Sequence, residues 1–174
     1  MSVDTPRRII VLRHAKADWP AVPDHERPLA DRGRREATAA GRWLAETGII
    51  PDLALCSSSV RTRETWKLVA HELPTRPRTR YEDRLYEASL ADLMALLADT
   101  PPEVGGLALI GHNPGMHELV TTLLSDEVDE ELRAHARAGF PTSAVAILAF
   151  TGEWASLAPH SATLVGLNAP AEPA

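Results

Sequence analysis

A chain of 174 residues with 44% apolar and 24% charged side chains is long enough to bury a core of its own, which excludes a wholly disordered protein. Its net charge of −6 and sequence pI near 5.6 leave no electrostatic footprint for nucleic acid. One cysteine excludes an internal disulfide, and neither a secretory apolar core nor a run of ~20 apolar residues that would span a membrane is present, so a cytoplasmic protein is expected.

The most informative stretch comes early. Ile9, Ile10, Val11 and Leu12 predict a short, fully buried strand, and Arg13 and His14 follow at once. In open α/β sheets ligands bind beyond the carboxyl ends of strands, so His14 stands where a rigid element holds it within reach of substrate. Residues 18–28 carry Pro20, Pro23 and Pro28 and are expected to form a loop beside His14, the kind of segment that shapes a substrate entrance. Ala37, Ala40, Trp43 and Leu44 recur at helical steps and Gly48 follows, which predicts an amphipathic helix over 34–47.

Residues 51–56 read as a second strand, 57–59 as a loop with a candidate N-cap, and 60–72 as a helix. Residues 74–80 read as a connection and 81–87 as polar and irregular. A helix marked by Leu90, Leu93, Met94, Leu96 and Leu97 ends at Pro101 and Pro102. Residues 107–110 form a third buried strand with 111–115 as its exit turn, and a helix follows to about Leu124 with Pro114 in its first turn. An exposed helix is expected over 126–137, two late strands over 143–150 and 163–167, and a disordered tail over 169–174. Strands alternating with helices call for a mainly parallel sheet covered on both faces, an α/β three-layer α/β/α sandwich in one domain over 1–168.

If the sheet is parallel, its three buried strands deliver Arg13 and His14, Ser57 to Arg61, and His112 with Asn113 to one edge. Two arginines and two histidines at one edge suit an anion, because guanidinium forks hold phosphate oxygens in bidentate geometry and helix N-termini add free N–H donors. Metal binding fits poorly. His112 and His117 are five apart, off the four-residue step that stacks ligands on a helix, and no further ligands complete a set. The run from Cys56 to Arg61 has the outline of a cysteine-phosphatase loop, but four residues separate Cys from Arg where that loop needs five. Gly111 to Gly115 has the outline of a nucleophile elbow, but Asn113 occupies the serine position.

Together these segments resemble the histidine phosphatase superfamily, the phosphoglycerate mutase-like fold. Its Arg-His-Gly signature is matched by Arg13-His14-Ala15 with alanine at the third place. Its Ser-x-x-x-Arg-x-x-x-Thr pattern is matched by Ser57, Arg61 and Thr65, and its second histidine by His112 in Gly-His-Asn-Pro. The alanine, Lys16 and the stretch from Arg27-Pro28-Leu29 to Gly33 are similar to the SixA-type phosphohistidine phosphatase branch.

The resemblance implies a metal-independent phosphatase without cofactor, acting on a phosphorylated small molecule or a phosphohistidine protein, with no nucleic-acid or membrane partner. His14 would be the nucleophile, and Arg13, Arg61, His112 and the Asn113 backbone N–H would hold the phosphate. A charged His112 beside a neutral His14 would give a bell-shaped pH profile. Arg84-Leu85-Tyr86-Glu87 is similar to the segment that carries the family's general acid, which points to Glu87, with Glu82 and Asp83 as neighbours. A silent phospho-ligand binding module and a phosphatase using Cys56 are the alternatives. A mutase would need room and cations for a second phosphate, and no long insertion supplies them.

Overall fold

The unbroken apolar run of β1 (Arg7–Arg13) serves two cores: Ile9 and Val11 pack to one side, Ile10 and Leu12 to the other. In the computed structural model, which describes residues 5–170, β1 lies inside a six-stranded sheet of order β3-β2-β4-β1-β5-β6. The other strands are β2 (Leu53–Ser57), β3 (Arg78–Glu82), β4 (Gly106–Gly111), β5 (Val145–Phe150) and β6 (Thr163–Asn168). Pairings among β1 to β4 are parallel, while β5 runs antiparallel to β1 and β6 antiparallel to β5.

Helices α1 (Asp31–Thr47) and α2 (Val60–His71) cover the Ile10 face through Ala40, Leu44, Trp66 and Val69. The opposite face is covered by α3 (Leu90–Ala98), α4 (Gly115–Leu123) and α5 (Glu130–Ala138), through Leu93, Leu97, Leu119, Val120 and Ala136. This is the expected three-layer sandwich. Local signals set the helix ends: Gly48 closes α1 at a φ of 73°, Ser59 accepts from the Thr62 N–H at the start of α2, and Ser89 forms a capping box with Asp92 ahead of α3.

Residues 78–82, expected as part of a connection and an irregular stretch, form an edge strand instead. With a neighbour on one side only and most side chains in water, β3 carries no apolar run for a sequence reading to find. Helix α1 starts three residues earlier than expected, at Asp31. Of the tail expected at 169–174, Ala169 and Pro170 follow β6 without regular structure, and the remainder lies outside the described residues. Among the described residues no helix is long and apolar enough to cross a membrane.

Register aligns the three strand exits. Arg13 is paired with Gly111 across β1 and β4, and Cys56 with Ile110 across β2 and β4, so the residues that follow emerge side by side. The His14 N–H then donates to the Gly111 carbonyl at 3.0 Å.

Candidate active site

At the end of β1 the His14 ring turns so that Nδ1 lies 2.8 Å from the Ala15 carbonyl oxygen. A carbonyl can only accept, so Nδ1 carries the proton and Nε2 keeps its lone pair. The neighbouring loop is pinned from α2: the Ala15 N–H donates to Thr65 Oγ1 at 2.9 Å, and that hydroxyl donates to the Arg61 carbonyl at 2.7 Å. Ser57, Arg61 and Thr65, spaced by four, thus act along one line: Ser57 on His112, Arg61 in the hollow, Thr65 on the His14 loop.

His112, from the exit of β4, brings its ring centroid to 5.3 Å from that of His14. Its Nε2 is 2.7 Å from Ser57 Oγ, and Arg61 Nη2 reaches Nδ1 at 3.5 Å. Arg13 donates from Nη1 to the Phe140 carbonyl at 3.2 Å. The Nε atoms of Arg13 and Arg61 are buried with no hydrogen-bond partner. Two orphaned guanidinium donors beside two imidazoles form a hollow suited to a tetrahedral oxyanion.

Arg61 and His112 also line a cavity of about 380 Å³ bounded further by Asp24, Tyr86 and Glu87. Glu87, the expected acid, therefore stands at the rim of the cavity. Glu82 faces away from this role, since its carboxylate accepts from Arg84 at 3.0 and 3.1 Å. Asn113 spends its side chain structurally, donating from Nδ2 to the Phe140 carbonyl at 2.7 Å and accepting from the His117 N–H at 3.2 Å. On its other side a second hollow of about 830 Å³ is lined by Arg13, His117, Leu132 and Phe140.

Sequence reasoning passes over Asp24 and Tyr86. The 18–28 loop leaves and returns at one point, where Ala17 pairs with Leu29, and its 3₁₀ turn (Asp24–Glu26) lies against Arg61. Arg61 donates from Nη1 to the Asp24 carbonyl at 2.7 Å and from Nη2 to the Asp24 carboxylate at 3.0 Å. Arg27 donates to the same carboxylate at 3.1 Å, and the Tyr86 hydroxyl donates to it as well. His25 joins its Nε2 to Ser58 Oγ at 3.0 Å and packs edge-on against Tyr86. No periodicity inside a loop broken by three prolines announces these contacts.

The electrostatics follow from burial and from the two arginines. Burial above all, with the Arg61 and Arg13 charges adding, pushes the His14 pKa down to about 4, against the opposing hydrogen bond to Ala15. Burial, then the charges of His14 and Arg61, push His112 down to about 3. Both rings are therefore neutral near pH 7, and the expected positive charge on His112 is absent from the protein as it stands. The Tyr86 hydroxyl first, then Arg27 and Arg61, hold the Asp24 carboxyl well below the usual carboxylate range. Burial pushes the Cys56 thiol up to about 12, which disfavours the thiolate a cysteine phosphatase needs. Among the described residues no group of three or more His, Cys, Asp or Glu side chains is placed to hold a metal ion.

A parallel-centred α/β sandwich with Arg-His, Arg and His converging at its strand exits defines the phosphoglycerate mutase-like class. The chain belongs to the histidine phosphatase superfamily (branch 1), whose family profile matches residues 9–104. It is 36% identical over 161 residues to an uncharacterised protein of Mycobacterium tuberculosis, covering 91% of this chain and 99% of that one. Among solved structures it is similar to the SixA protein of Nakamurella multipartitia (TM-score 0.82, 31% identity, 96% of this chain and 98% of that one). The SixA protein of Agrobacterium tumefaciens is a further match (TM-score 0.80, 30% identity, 95% and 99%).

Proposed function

We propose that this protein is a metal-independent phosphatase that passes the phosphoryl group through His14. In the first step Nε2 of His14 attacks phosphorus in line, the bond to the leaving group breaks, and its electron pair departs with that group. Arg13, Arg61, His112 and the Asn113 N–H meet the equatorial oxygens, and Glu87 at the cavity rim protonates an ester oxygen as it leaves. Water then attacks the phosphoryl group on His14, and the electron pair returns to Nε2. A phosphate dianion beside His112 draws its pKa upward, so its protonation accompanies substrate binding.

The observation that carries this reading is the tautomer of His14, whose Nδ1–H bond to the Ala15 carbonyl frees Nε2 within the field of the Arg61 and Arg13 guanidinium groups. Superfamily membership supports the reaction class, and the SixA neighbours, described as phosphohistidine phosphatases, support phosphohistidine alongside phosphate monoesters as substrate.

The experiment is a phosphate-release screen over phenyl phosphate, sugar phosphates and phosphohistidine peptides with chelator present, in wild type and His14→Ala. Turnover with chelator, lost by at least about 10³-fold in His14→Ala, is expected. Binding of phosphate without turnover would leave a phospho-ligand module instead. Activity that survives His14→Ala and vanishes in Cys56→Ser would give the chemistry to the thiol.

A further inference from the structure

We propose that the free edge of β3 is a docking surface for an acidic, extended segment of a partner protein, which adds to the sheet as a further strand. This surface shares no residue with the hollow formed by Arg13, His14, Arg61 and His112.

β3 pairs with β2 on one side, and among the described residues no backbone group of 78–81 bonds to backbone anywhere else. Its outer row of N–H and C=O groups is open to another strand. Register fixes which way each side chain points. Arg78 and Arg80 pair with Leu53 and Leu55 and stand on the face that those leucines share with α3 and α4. Thr79 and Tyr81 pair with Ala54 and Cys56 and stand on the α2 face, where Trp66 Nε1 donates to Thr79 Oγ1 at 2.9 Å. On that face the Arg63 guanidinium lies over the Tyr81 ring at 4.4 Å, and Arg63, Lys67, Arg76 and Tyr81 line a cavity of about 530 Å³. A strand laid on this edge alternates its side chains between the two faces. It therefore meets Arg78 and Arg80 on one and Arg63, Lys67 and Arg76 on the other.

Charge names the occupant. The chain as a whole carries −6, yet these five cations are exposed, and among the described residues none of them forms an ion pair. The acidic neighbours are already taken: Glu64 accepts from Arg34 at 3.5 Å, and Glu82 from Arg84 at 3.0 and 3.1 Å. Uncompensated positive charge on both sides of an open edge repels the same edge of a second copy and favours an acidic segment. Charges that only guarded the edge would need no aromatic beside them, whereas the Tyr81 ring is 53% exposed, and Tyr with Arg is the composition of a protein interface. A nucleic-acid strand would meet the cations but leave the N–H and C=O row unpaired. β3 ends opposite Ser57, which bonds to His112, so a partner held here lies on the same edge of the sheet as the active site.

The test titrates a fluorescein-labelled peptide of Glu-Glu-Thr-Thr repeats, whose glutamates fall on both faces of a strand, against the full chain. Its controls are a Lys-Lys-Thr-Thr counterpart, the acidic peptide with consecutive central backbone nitrogens methylated, and a single-stranded oligothymidylate. The acidic peptide is expected to bind saturably and the lysine peptide not at all, and methylation is expected to weaken binding by about tenfold or more through lost backbone hydrogen bonds. Lys67 and Arg80 are exposed on opposite faces, and the Lys67→Glu, Arg80→Glu double variant is expected to bind about tenfold more weakly, the combined effect of two reversed surface charges. Amide shifts on titration are expected to gather at Arg78–Glu82. A methylated peptide that binds as tightly, or an oligothymidylate that binds more tightly than the acidic peptide, would make the edge a diffuse charged surface and overturn the proposal. Binding left intact in the double variant, or no saturation up to about 1 mM peptide, overturns it equally.

Discussion

The hydroxyl of Ser57 lies 2.7 Å from Nε2 of His112, joining the last residue of β2 to the first residue beyond β4. Because Arg61 can only donate to Nδ1, the neutral ring carries its proton on Nε2 and gives it to the serine oxygen. Nδ1 is thereby turned toward the oxyanion hollow, ready to take a proton when phosphate arrives. Ser57→Ala removes the tether without touching phosphate. The expected result is a fall in kcat of about tenfold, the range for losing one orienting hydrogen bond, with His112→Ala no worse additively in the double variant. Fully additive losses in the cycle would separate the two residues.

Two histidines held neutral by burial make the protein sensitive to acid. Their folded pKa values, about 4 for His14 and about 3 for His112, lie below the unfolded value of roughly 6.5. Between those limits the unfolded chain binds more protons than the folded one, so stability rises with pH through this window. The contribution is whole above about pH 6.5 and drains away as pH falls toward 4. Going from pH 7.5 to 4.5 is expected to remove about 2–4 kcal/mol, or roughly 5–10 °C in Tm for a chain of this size. Calorimetry across that range checks it, and a Tm that stays level or climbs on acidification contradicts the neutral pair. Kinetically, the acid limb of kcat/KM falls near pH 4, where free His14 is protonated, rather than near 6.5.

The His14 loop is also held from behind by a glycine. A Cβ on Gly33 would stand 2.0 Å from the Lys16 carbonyl oxygen, which meanwhile accepts from the Ala30 N–H at 2.9 Å. Backbone on both sides leaves nothing flexible to yield. Gly33→Ala is therefore expected to destabilise by about 2–3 kcal/mol or more and to reduce turnover by displacing the loop. Chemical denaturation checks the first effect. An alanine variant as stable as wild type would mean that α1 and the loop shift freely.

What the sequence made legible follows the physics of burial. β1, β2 and β4 are covered on both faces, so Ile9 to Leu12, Leu53 to Cys56 and Leu107 to Ile110 had to be apolar, and the polar residues at their exits stood out. Arg13, His14, Arg61 and His112 could be placed at one edge because strand ends fix positions in space before any tertiary contact is known. Asp24 and Tyr86 were not, because their meeting depends on the path of an eleven-residue loop with three prolines, which no local rule supplies. β3 was hidden for the opposite reason: it pairs with β2 on one side only, and Arg78, Arg80 and Tyr81 remain in water.

Glu87 stands at the rim of the cavity, where the leaving group of an ester would need a proton. An ester oxygen leaves as a strong base, so its departure needs a proton, and the carboxyl that supplies it contributes about 10²–10⁴-fold. A phosphorylated imidazole that leaves neutral needs none. Glu87→Gln should therefore lower kcat for phenyl phosphate by about 10² while costing phosphoimidazole less than about fivefold. Steady-state kinetics on the two substrates at one pH decide the point. Equal losses would mean that Glu87 orders the rim of the cavity and donates no proton, and the acid would then have to be sought among the other groups at the cavity.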